Sequence, residues 1–470
     1  MAPAESTVCV VGLGKIGLPL AVQYATRGFT VVGADTNTSV VESVNRGLAP
    51  FSGECDLDDR LAEVVSAGML QATTDTVQAV RRCRTVVVVV PLLVDSRGVP
   101  DFHALDSATA AIAQGLTADT LVIYETTVPV STTRRRFAPV LEAGSGWRCG
   151  VSLFVAFSPE RVYVGRVFAD LRRYPKLVGG VDEASAIRAV YFYERALEFD
   201  GRPDLARSNG VWDLGSTEAA ELAKLAETTY RDVNIGLANE FAKFSEAAGI
   251  DVYKVIEASN SQPFSHLHQP GIAVGGHCIP VYPRLFLTNS PDALIPAAAR
   301  AANLSMPQHC IDRVSKVLGG LNGRTVAVLG LTYRGGVKEV AFSGAFPLAE
   351  AIRAAGGSAL VHDPLYTSAE IRELGLDVYE LGGACDAAVI QADHRLYADL
   401  QPGDLPGVQV ILDGRHITDP SRWLQGGVQH LQLGVAIDPD DDDSVGQAGR
   451  LPVGVVSESA THLARLSHEC

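Results

Sequence analysis

The sequence predicts an α/β protein with two doubly wound parallel-sheet domains joined by a long central helix. Three observations lead to this prediction. Short β-branched strands alternate with helical patterns in the first and last parts of the chain, which is typical of parallel sheets. A glycine-rich turn directly follows the first strand. Between the two alternating regions, Thr217 to Ala248 carries apolar residues at intervals of mainly three or four, as expected for one continuous helix.

The composition limits the partners and the location of the chain. A net charge of −15 leaves no basic surplus to neutralise phosphates, so we expect no nucleic-acid partner. The eight cysteines show neither CxxC nor Cys/His spacing, so we expect no metal site and no disulfide framework, and reduced cytoplasmic thiols fit best. No apolar run approaches the roughly 18 residues of a membrane helix, and the N-terminus resembles no secretory leader, so we expect no membrane partner.

The first strand, Thr7 to Val11, leads into the turn Gly12-Leu-Gly-Lys-Ile-Gly17, a helix from Pro19 to Thr26 and a strand from Thr30 to Ala34. This order is the dinucleotide fingerprint of a Rossmann-like βαβ unit, in which glycines let a pyrophosphate approach a helix N-terminus. Asp35 follows the second strand and can accept from a ribose hydroxyl, which favours NAD over NADP. The alternative is a glycine-rich turn without a ligand. The predicted cofactor-binding residues are Gly12, Gly14, Lys15, Ile16, Gly17 and Asp35.

Further strands continue the alternation in both halves. Arg84 to Val90 is an uninterrupted apolar run of the kind that parallel sheets bury. The other predicted strands are Leu121 to Tyr124, Val151 to Phe157, Thr325 to Leu329, Ala359 to Val361, Ala387 to Gln391 and Val408 to Leu412. A helix is predicted from Ala345 to Ala355. The acidic, glycine-containing tail of the chain is expected to be disordered.

One loop presents a cysteine in a setting that favours exposure. The stretch from Gly271 to Pro283 places Cys278 after the pair Gly275-Gly276 and two residues before a proline. The glycines can adopt positive φ and let a ligand approach the backbone, while the proline stiffens the exit of the loop. A lone cysteine is more often a buried structural residue. The prediction of a reaction centre here therefore depends on the motifs elsewhere in the chain.

The loop sequence Gly-Gly-His-Cys-Ile-Pro resembles the active-site loop of the nucleotide-sugar 6-dehydrogenases, the family of UDP-glucose and UDP-N-acetylhexosamine dehydrogenases. Its His-Cys-Ile-Pro version is similar to the N-acetylhexosamine branch. Further matches follow in the family's order, and the resemblance covers roughly residues 7 to 435. These matches lie at Gly12 to Gly17, Glu125 to Pro129, Ser158 to Val162, Glu221 to Glu240 and Val326 to Tyr333.

The resemblance implies NAD-dependent oxidation at C6 of a UDP-sugar, with a UDP-N-acetylhexosamine preferred over UDP-glucose. In the implied roles, Cys278 captures the aldehyde, Lys224 stabilises the negatively charged oxygen, and Glu160 with a bound water opens the thioester. Thr127 is implied as a hydroxyl that serves both catalysis and the cofactor. The implied substrate-binding residues are Glu160, Arg161, Lys224, Arg231, Asn234, Gly275, Gly276, Tyr333 and Arg334.

The same resemblance implies how the chain is divided and assembled. An NAD-binding Rossmann domain is expected at 1–210 and a central helical segment, for dimerisation and the active site, at 211–310. A UDP-sugar-binding Rossmann-like domain is expected at 311–437, followed by the acidic tail at 438–470. The protein is expected to be a cytoplasmic homodimer.

Four positions depart from the family pattern. Tyr282 stands where the family keeps an aspartate that places the lysine and the water, and Thr228 stands where it keeps an asparagine. Leu92 and Ala341 replace a threonine and an arginine near the cofactor. Hydrolysis depends on an accurately held water. The departures therefore leave two alternatives open: a diverged dehydrogenase that stops at the aldehyde or uses another nucleotide, and a non-catalytic UDP-sugar-binding regulator.

Overall fold

The computed structural model describes residues 6–95 and 98–436, and the predicted tail at 438–470 lies outside the described residues. The strands of the first domain are β1 (Thr7–Val11), β2 (Thr30–Ala34), β3 (Leu70–Thr73), β4 (Thr85–Val88), β5 (Leu93–Val94), β6 (Pro100–Asp101), β7 (Thr120–Tyr124), β8 (Leu153–Phe157), β9 (Lys176–Gly180) and β10 (Val211–Asp213). Eight of them form one sheet in the order β10-β9-β8-β7-β4-β1-β2-β3, while β5 and β6 pair separately.

Helices cover both faces of this sheet. They are α1 (Gly17–Thr26), α2 (Thr38–Asn45), α3 (Leu57–Ser66), α4 (Thr76–Arg81), α5 (His103–Gly115), a π-helical turn (Thr133–Phe137), α6 (Ala138–Ser145), α7 (Val167–Arg173) and α8 (Glu183–Ala196). Successive residues of β1 enter two separate apolar clusters, with Val8 and Val10 in one and Cys9 and Val11 in the other. Because side chains alternate across a strand, this division shows that the sheet is buried on both faces.

Strand β9 departs from the parallel arrangement of the central strands. It runs antiparallel to β8, with Ala156 opposite Gly180 and Phe157 opposite Gly179. The connection between β8 and β9 covers residues 158–175 and contains the short helix α7. The first residue of β9, Lys176, therefore lies at the same sheet edge as the carboxyl ends of β7 and β8. Glu125 and Glu160 follow those two strands.

The middle of the chain is helical, with α9 (Thr217–Ala248), α10 (Val252–Asn260), α11 (Tyr282–Asn289) and α12 (Leu294–Leu318). Helix α9 begins and ends where the sequence predicts. The Ser216 side chain accepts from the backbone N–H of Ala219 at its start, and Gly249 adopts a left-handed conformation at its end. These are the usual start and stop signals of a helix.

Helix α12 was not predicted from the sequence. It contains Pro307 within its span, and it crosses residue 310, the expected end of the central segment. α12 packs along α9, and a Cβ added at Gly236 would lie 3.1 Å from backbone atoms of Ala299. A side chain at position 236 would therefore press against α12 where the two helices approach. Among the residues that the structure describes, no helix is both long and apolar enough to cross a membrane.

The last domain contains a second, all-parallel sheet. Its elements are β11 (Thr325–Leu329), α13 (Ala345–Ala354), β12 (Ser358–His362), α14 (Ser368–Glu373), β13 (Asp377–Val378), β14 (Ala387–Ile390), α15 (Arg395–Ala398), a 3₁₀ turn (Pro402–Asp404), β15 (Val410–Asp413), α16 (Pro420–Gln425) and β16 (Gln429–Gln432). The strand order is β13-β12-β11-β14-β15-β16, so strand order reverses beside β11 as it does beside β1 in the first sheet. Ligands of doubly wound sheets bind at such switch points.

Candidate active site

A cavity of about 590 Å³ lies at the carboxyl ends of β1, β4, β7 and β8. The turn after β1 contributes Gly14 to Gly17, and the loop after β7 contributes Thr127. Lys224 of α9 and Cys278 of the glycine-rich loop close the opposite side. The structure therefore brings the predicted cofactor turn and the predicted catalytic residues to one space.

The glycine turn after β1 has the shape that a dinucleotide requires. Gly12 has φ of +94°, and a Cβ at Gly17 would lie 1.9 Å from the Gly12 carbonyl oxygen, so both positions need glycine. A Cβ at Gly14 would meet nothing within 4 Å, which leaves open space beside the start of α1. Backbone N–H groups at a helix start attract phosphate. These residues fit the pyrophosphate of NAD.

Asp35 stands directly after β2, and its carboxylate is fixed by the backbone. It accepts from the N–H of Leu13 at 2.8 Å and from the N–H of Asn37 at 2.9 Å. Each carboxylate oxygen keeps a further lone pair for a ribose hydroxyl. The position and charge of Asp35 therefore fit the ribose next to the pyrophosphate site.

Cys278 is exposed on a loop that the C-terminal domain holds in place. Gly276 has φ of +89°, and its N–H donates to the carbonyl of Ala341 at 2.8 Å. A Cβ at Gly275 would lie 2.4 Å from the Cβ of Tyr333, so a larger residue would push the loop away from that domain. The Cys278 carbonyl accepts from the Tyr282 N–H at 2.8 Å as α11 begins. The exposed thiol agrees with the predicted loop.

Lys224, Thr127 and Tyr282 surround the cysteine. The Lys224 side chain is buried in α9, and its Nζ lies 5.7 Å from the centre of the Tyr282 ring. The Tyr282 hydroxyl interacts with Thr127 and with Cys278. Burial, together with the charge that Cys278 carries as a thiolate, raises the pKa of Tyr282. Tyr282 is therefore neutral at physiological pH and can donate a hydrogen bond but cannot replace a carboxylate base.

Glu160 is paired with Lys176, to which the sequence analysis gave no role. The Lys176 Nζ donates to Glu160 at 2.7 Å and to Glu125 at 2.8 Å. Glu125 also accepts from the hydroxyls of Tyr193 at 2.6 Å and Tyr24 at 3.2 Å. A signal for this cluster was available in the sequence, because Glu125 and Lys176 each directly adjoin an apolar strand.

The two carboxyl groups of this cluster titrate differently. Burial raises the pKa of Glu125 to about 7, although Lys176 opposes this. Burial would also raise the pKa of Glu160, but the Lys176 charge and hydrogen bond, with the Arg161 backbone N–H, outweigh it and lower the pKa. The charges of both carboxylates likewise raise the pKa of Lys176 despite its burial. One cation thus lies between two acids of unequal strength.

A second cavity, of about 900 Å³, lies between the C-terminal domain and α10. The predicted residues Gly275, Tyr333 and Arg334 line it. Arg334 Nε is buried and has no hydrogen-bond partner among the described residues. The sequence analysis missed other lining residues, namely Tyr253, Arg415 and His416, because no motif marks them.

Three predicted substrate-binding residues contact other side chains or backbone. Arg161 donates to Glu227 at 2.9 Å, and Arg231 donates to the Tyr163 hydroxyl at 2.6 Å. Asn234 accepts from the backbone N–H of His268 at 2.9 Å. Their predicted contact with substrate stays a prediction.

The departures from the family pattern change the chemistry of the first cavity. The Thr228 hydroxyl donates to the carbonyl of Lys224 at 3.0 Å within its own helix, so it is not directed to a ligand. Leu92 and Tyr282 pack against the same small apolar cluster, built on Leu225 and Leu285. Ala341 lines the cavity without a charge. Leu92 and Tyr282, at two positions that are polar in the family pattern, therefore pack against one apolar cluster here.

Comparisons with known proteins agree with this architecture. Models of the UDP-glucose/GDP-mannose dehydrogenase family match at residues 6–197 (NAD binding domain), 218–305 (central domain) and 327–420 (UDP binding domain). A UDP-N-acetyl-D-mannosamine dehydrogenase of Pyrococcus horikoshii is 35% identical over 420 residues, which cover 87% of this chain and 95% of that protein.

Solved structures give the same result. A UDP-D-ManNAc dehydrogenase structure from Pyrococcus horikoshii has a TM-score of 0.81 and 33% identity, covering 91% of this chain and 99% of that one. An NDP-N-acetyl-D-galactosaminuronic acid dehydrogenase structure from Methanosarcina mazei has a TM-score of 0.79 and 28% identity, covering 92% of this chain and 95% of that one.

The dinucleotide turn and the cysteine loop line one cavity, and the second Rossmann-like domain holds that loop in place. Together with the match to an NAD binding domain, this arrangement defines an NAD-dependent oxidoreductase. The chain belongs to the UDP-glucose/GDP-mannose dehydrogenase family, and it is an NAD-dependent UDP-sugar dehydrogenase. The resemblance drawn from the motifs, the fold class and NAD as cofactor are thereby confirmed.

Proposed function

We propose that the protein oxidises C6 of a UDP-N-acetylhexosamine through a covalent intermediate on Cys278. The observation that supports this most directly is the shared cavity, which Cys278, Lys224, Thr127 and Glu160 line together with the dinucleotide turn. A relative named as a UDP-N-acetyl-D-mannosamine dehydrogenase supports the choice of sugar.

The first oxidation uses Lys224 as a fixed cation. The C6 hydroxyl gives its proton to solvent water as C6 loses a hydride and becomes a carbonyl, and the developing negative oxygen is stabilised by the buried Lys224 side chain. NAD, when bound, supplies the hydride acceptor, with one NAD molecule used in each of the two oxidations. The Thr127 hydroxyl, buried beside Tyr282, helps to hold the reacting oxygen.

The second half of the reaction takes place on Cys278. The thiolate adds to the aldehyde carbon and forms a thiohemiacetal, whose oxidation leaves a thioester. Water then attacks the thioester carbonyl while Glu160 takes a proton from that water, and the C–S bond breaks to release the acid and the thiolate. Glu160 suits this role because Lys176 keeps it ionised.

The second cavity is the proposed site of the UDP group. It borders Gly275 and Ile279 of the cysteine loop, so a sugar attached to a diphosphate there can reach Cys278. Arg334 and Arg415 line this cavity and offer two guanidinium cations to the diphosphate.

Incubation with NAD and separate UDP-sugars tests this proposal. UDP-N-acetylmannosamine, UDP-N-acetylglucosamine and UDP-glucose are compared by NADH formation and by mass spectrometry of the products, with the Cys278→Ser variant as control. We expect the first two sugars to react faster than UDP-glucose, and the variant to form no acid. Equal turnover of UDP-glucose would contradict the proposed preference, and acid formation by the variant would contradict the role of Cys278.

A second candidate outcome is release of the aldehyde. Tyr282 favours it, because a neutral phenol cannot hold the hydrolytic water as a carboxylate does. The number of NADH molecules formed per sugar separates the two outcomes, since the aldehyde yields one and the acid yields two.

We also propose that the protein is a homodimer that pairs through α9. Five large apolar side chains of this helix are exposed on one face, which a second copy would cover. They are Leu222, Tyr230, Leu237, Phe241 and Phe244. Light scattering after size exclusion should give the mass of a dimer, and the pair Leu237→Glu/Phe244→Glu should give a monomer. The exposed control Lys254→Glu should stay dimeric, and a monomeric wild type would contradict the proposal.

A further inference from the structure

Glu125 and Glu160 both line the first cavity, and the buried Lys176 pairs with both carboxylates. Lys176 is 4% exposed at its side chain and Glu125 is 0% exposed, while Glu160 is 12% exposed and reaches the cavity. Because β9 runs antiparallel to β8, it begins at the end of the sheet where the loop carrying Glu160 leaves β8. The backbone N–H of Glu160 also approaches the carbonyl of Glu125, at 3.4 Å.

Four titratable side chains among the described residues face the Glu125 carboxylate. Helix α1 contributes the Tyr24 hydroxyl and α8 contributes the Tyr193 hydroxyl, both of which donate to Oε1. Strand β9 contributes Lys176, which donates to Oε2. Glu160 completes the surroundings, and the two carboxyl groups hydrogen-bond with each other when one of them holds a proton. Both tyrosine hydroxyls stay protonated, because burial and the Glu125 charge raise their pKa.

We propose that Glu125 is the acceptor for the proton that Glu160 removes from the hydrolytic water. This inference rests on the role proposed for Glu160 above. Glu125 acts through Glu160, so it is a positioning residue that restores the base and does not attack the substrate. Three donors stabilise the Glu125 carboxylate before the transfer, and Lys176 stays beside both acids throughout.

The proposed step balances without an added reagent. Water adds to the thioester carbonyl and gives one proton to Glu160, and the C–S electron pair leaves on Cys278. The proton then moves from Glu160 to Glu125, which returns Glu160 to its ionised form. Glu125 releases this proton to solvent after the acid has left the cavity. No electron is transferred in this part of the reaction.

The acid strengths of the two groups support this direction. Burial raises the pKa of Glu125 to about 7, whereas Lys176 lowers the pKa of Glu160 against the effect of burial. A proton on Glu160 is therefore more stable after transfer to Glu125. Below about pH 7 Glu125 already holds a proton and cannot accept another.

The pH dependence of thioester hydrolysis tests the proposal. Quenched single turnovers with NAD and UDP-N-acetylmannosamine, from pH 5.5 to 8.5, give the decay of the Cys278 adduct by intact-protein mass spectrometry, and stopped-flow NADH absorbance gives the first oxidation. In the wild type we expect hydrolysis to accelerate at least tenfold as pH rises through about 7. In Glu125→Gln we expect the acceleration to vanish and hydrolysis at pH 8 to be at least tenfold slower, with the first NADH burst retained.

A second variant keeps the test decisive if Glu125→Gln folds poorly. Tyr193→Phe removes one donor to the Glu125 carboxylate, so we expect the pH midpoint of hydrolysis to rise. Glu54→Gln, which changes a buried carboxylate that binds the backbone of Gly165 and Val167, should leave the midpoint unchanged.

Two results would overturn the proposal. One is a pH midpoint that stays the same in both Glu125→Gln and Tyr193→Phe. Hydrolysis that is slower by the same factor at every pH also counts as this result, because only a structural role would cause it. The other is a wild type that releases aldehyde without hydrolysis. Failure of the proposed function looks different, because the wild type would then show neither an NADH burst nor a Cys278 adduct with any UDP-sugar.

Discussion

The Nζ of Lys224 lies 5.7 Å from the centre of the Tyr282 ring, where the family resemblance predicts an aspartate beside the lysine. A cation above an aromatic ring gains about 0.5–2 kcal/mol, so the ring can keep the lysine in place. It cannot offer the anionic hydrogen bonds that orient both a lysine and a water. In the proposed mechanism, Lys224 therefore keeps its position for the first oxidation, while the hydrolytic water loses a partner.

Tyr282→Asp should accelerate acid formation. The new carboxylate would face Lys224 but also the apolar cluster that Leu92 shares with Tyr282. Burying a charge beside apolar groups is costly, so we expect a larger gain, roughly tenfold over wild type, in the pair Leu92→Thr/Tyr282→Asp than in the single variant. The measurement is decay of the Cys278 thioester in a single turnover. Tyr282→Phe is the control and should not accelerate decay, and a pair no faster than wild type would contradict this explanation.

Lys224→Ala should slow the first oxidation by about 10²-fold or more, because removal of a fixed group that stabilises a developing negative oxygen has effects of this size. Stopped-flow NADH absorbance at saturating substrate measures this step. Lys243→Ala is a matched control, since Lys243 lies on the same helix and pairs with Glu240 at the surface. A loss below fivefold in Lys224→Ala would assign the charge stabilisation to another group.

NAD should bind more tightly than NADP, and Asp35 should be the cause. Its carboxylate is held by the N–H groups of Leu13 and Asn37, so it cannot move away from a 2′-phosphate. Titration of both dinucleotides gives the ratio of Kd values, which Asp35→Asn should reduce. Asp75→Asn alters a cap at the start of α4 and should leave the ratio unchanged. Tighter binding of NADP by the wild type would contradict this assignment.

Glu221 should make the fold less stable as pH rises. Burial raises its pKa from 4.5 to about 7, so the folded state holds a proton that the unfolded chain has already released. The contribution to stability is complete below about pH 4.5 and is lost as pH rises through about 7. Glu221→Gln should therefore reduce the fall in Tm between pH 5 and 8, by about 2–4 °C for each kcal/mol removed.

The control for this effect lies on the same helix. Glu218 pairs with Arg134, and this hydrogen bond lowers its pKa although burial opposes it. Its titration therefore falls below pH 5, and Glu218→Gln should not change the slope between pH 5 and 8. An unchanged slope in Glu221→Gln would mean that Glu221 is ionised in the folded protein throughout this range.

Local patterns predicted much of the fold. The bounds of β1, β2 and α9 follow directly from apolar periodicity and from the residues that begin and end each element. Helix α12 could not be recognised in this way, because Pro307 conflicts with a helical pattern and only packing against α9 compensates for it. The reversal of β9 also escaped prediction, since strand direction depends on the path of a connection.

The proposed catalytic residues of the site were predicted from the sequence, but some of their contacts were not. The family resemblance singled out Cys278, Lys224, Thr127 and Glu160, and these residues line one cavity. Charged residues next to apolar strands signalled that Glu125 and Lys176 are buried, but their pairing follows from the antiparallel β9, which no residue pattern indicates. The joint change at Leu92 and Tyr282 was likewise invisible as a pair, because the two positions are far apart in sequence and meet only in the folded cluster.

Intact-protein mass spectrometry of quenched single turnovers tests the central claim most directly. The protein is mixed with NAD and UDP-N-acetylmannosamine, and samples quenched over time are digested to locate any adduct. Our account predicts a sugar adduct on Cys278 that appears with the first NADH and outlasts the second. Two NADH molecules per sugar with no adduct at any time, or an adduct on another of the cysteines, would contradict it.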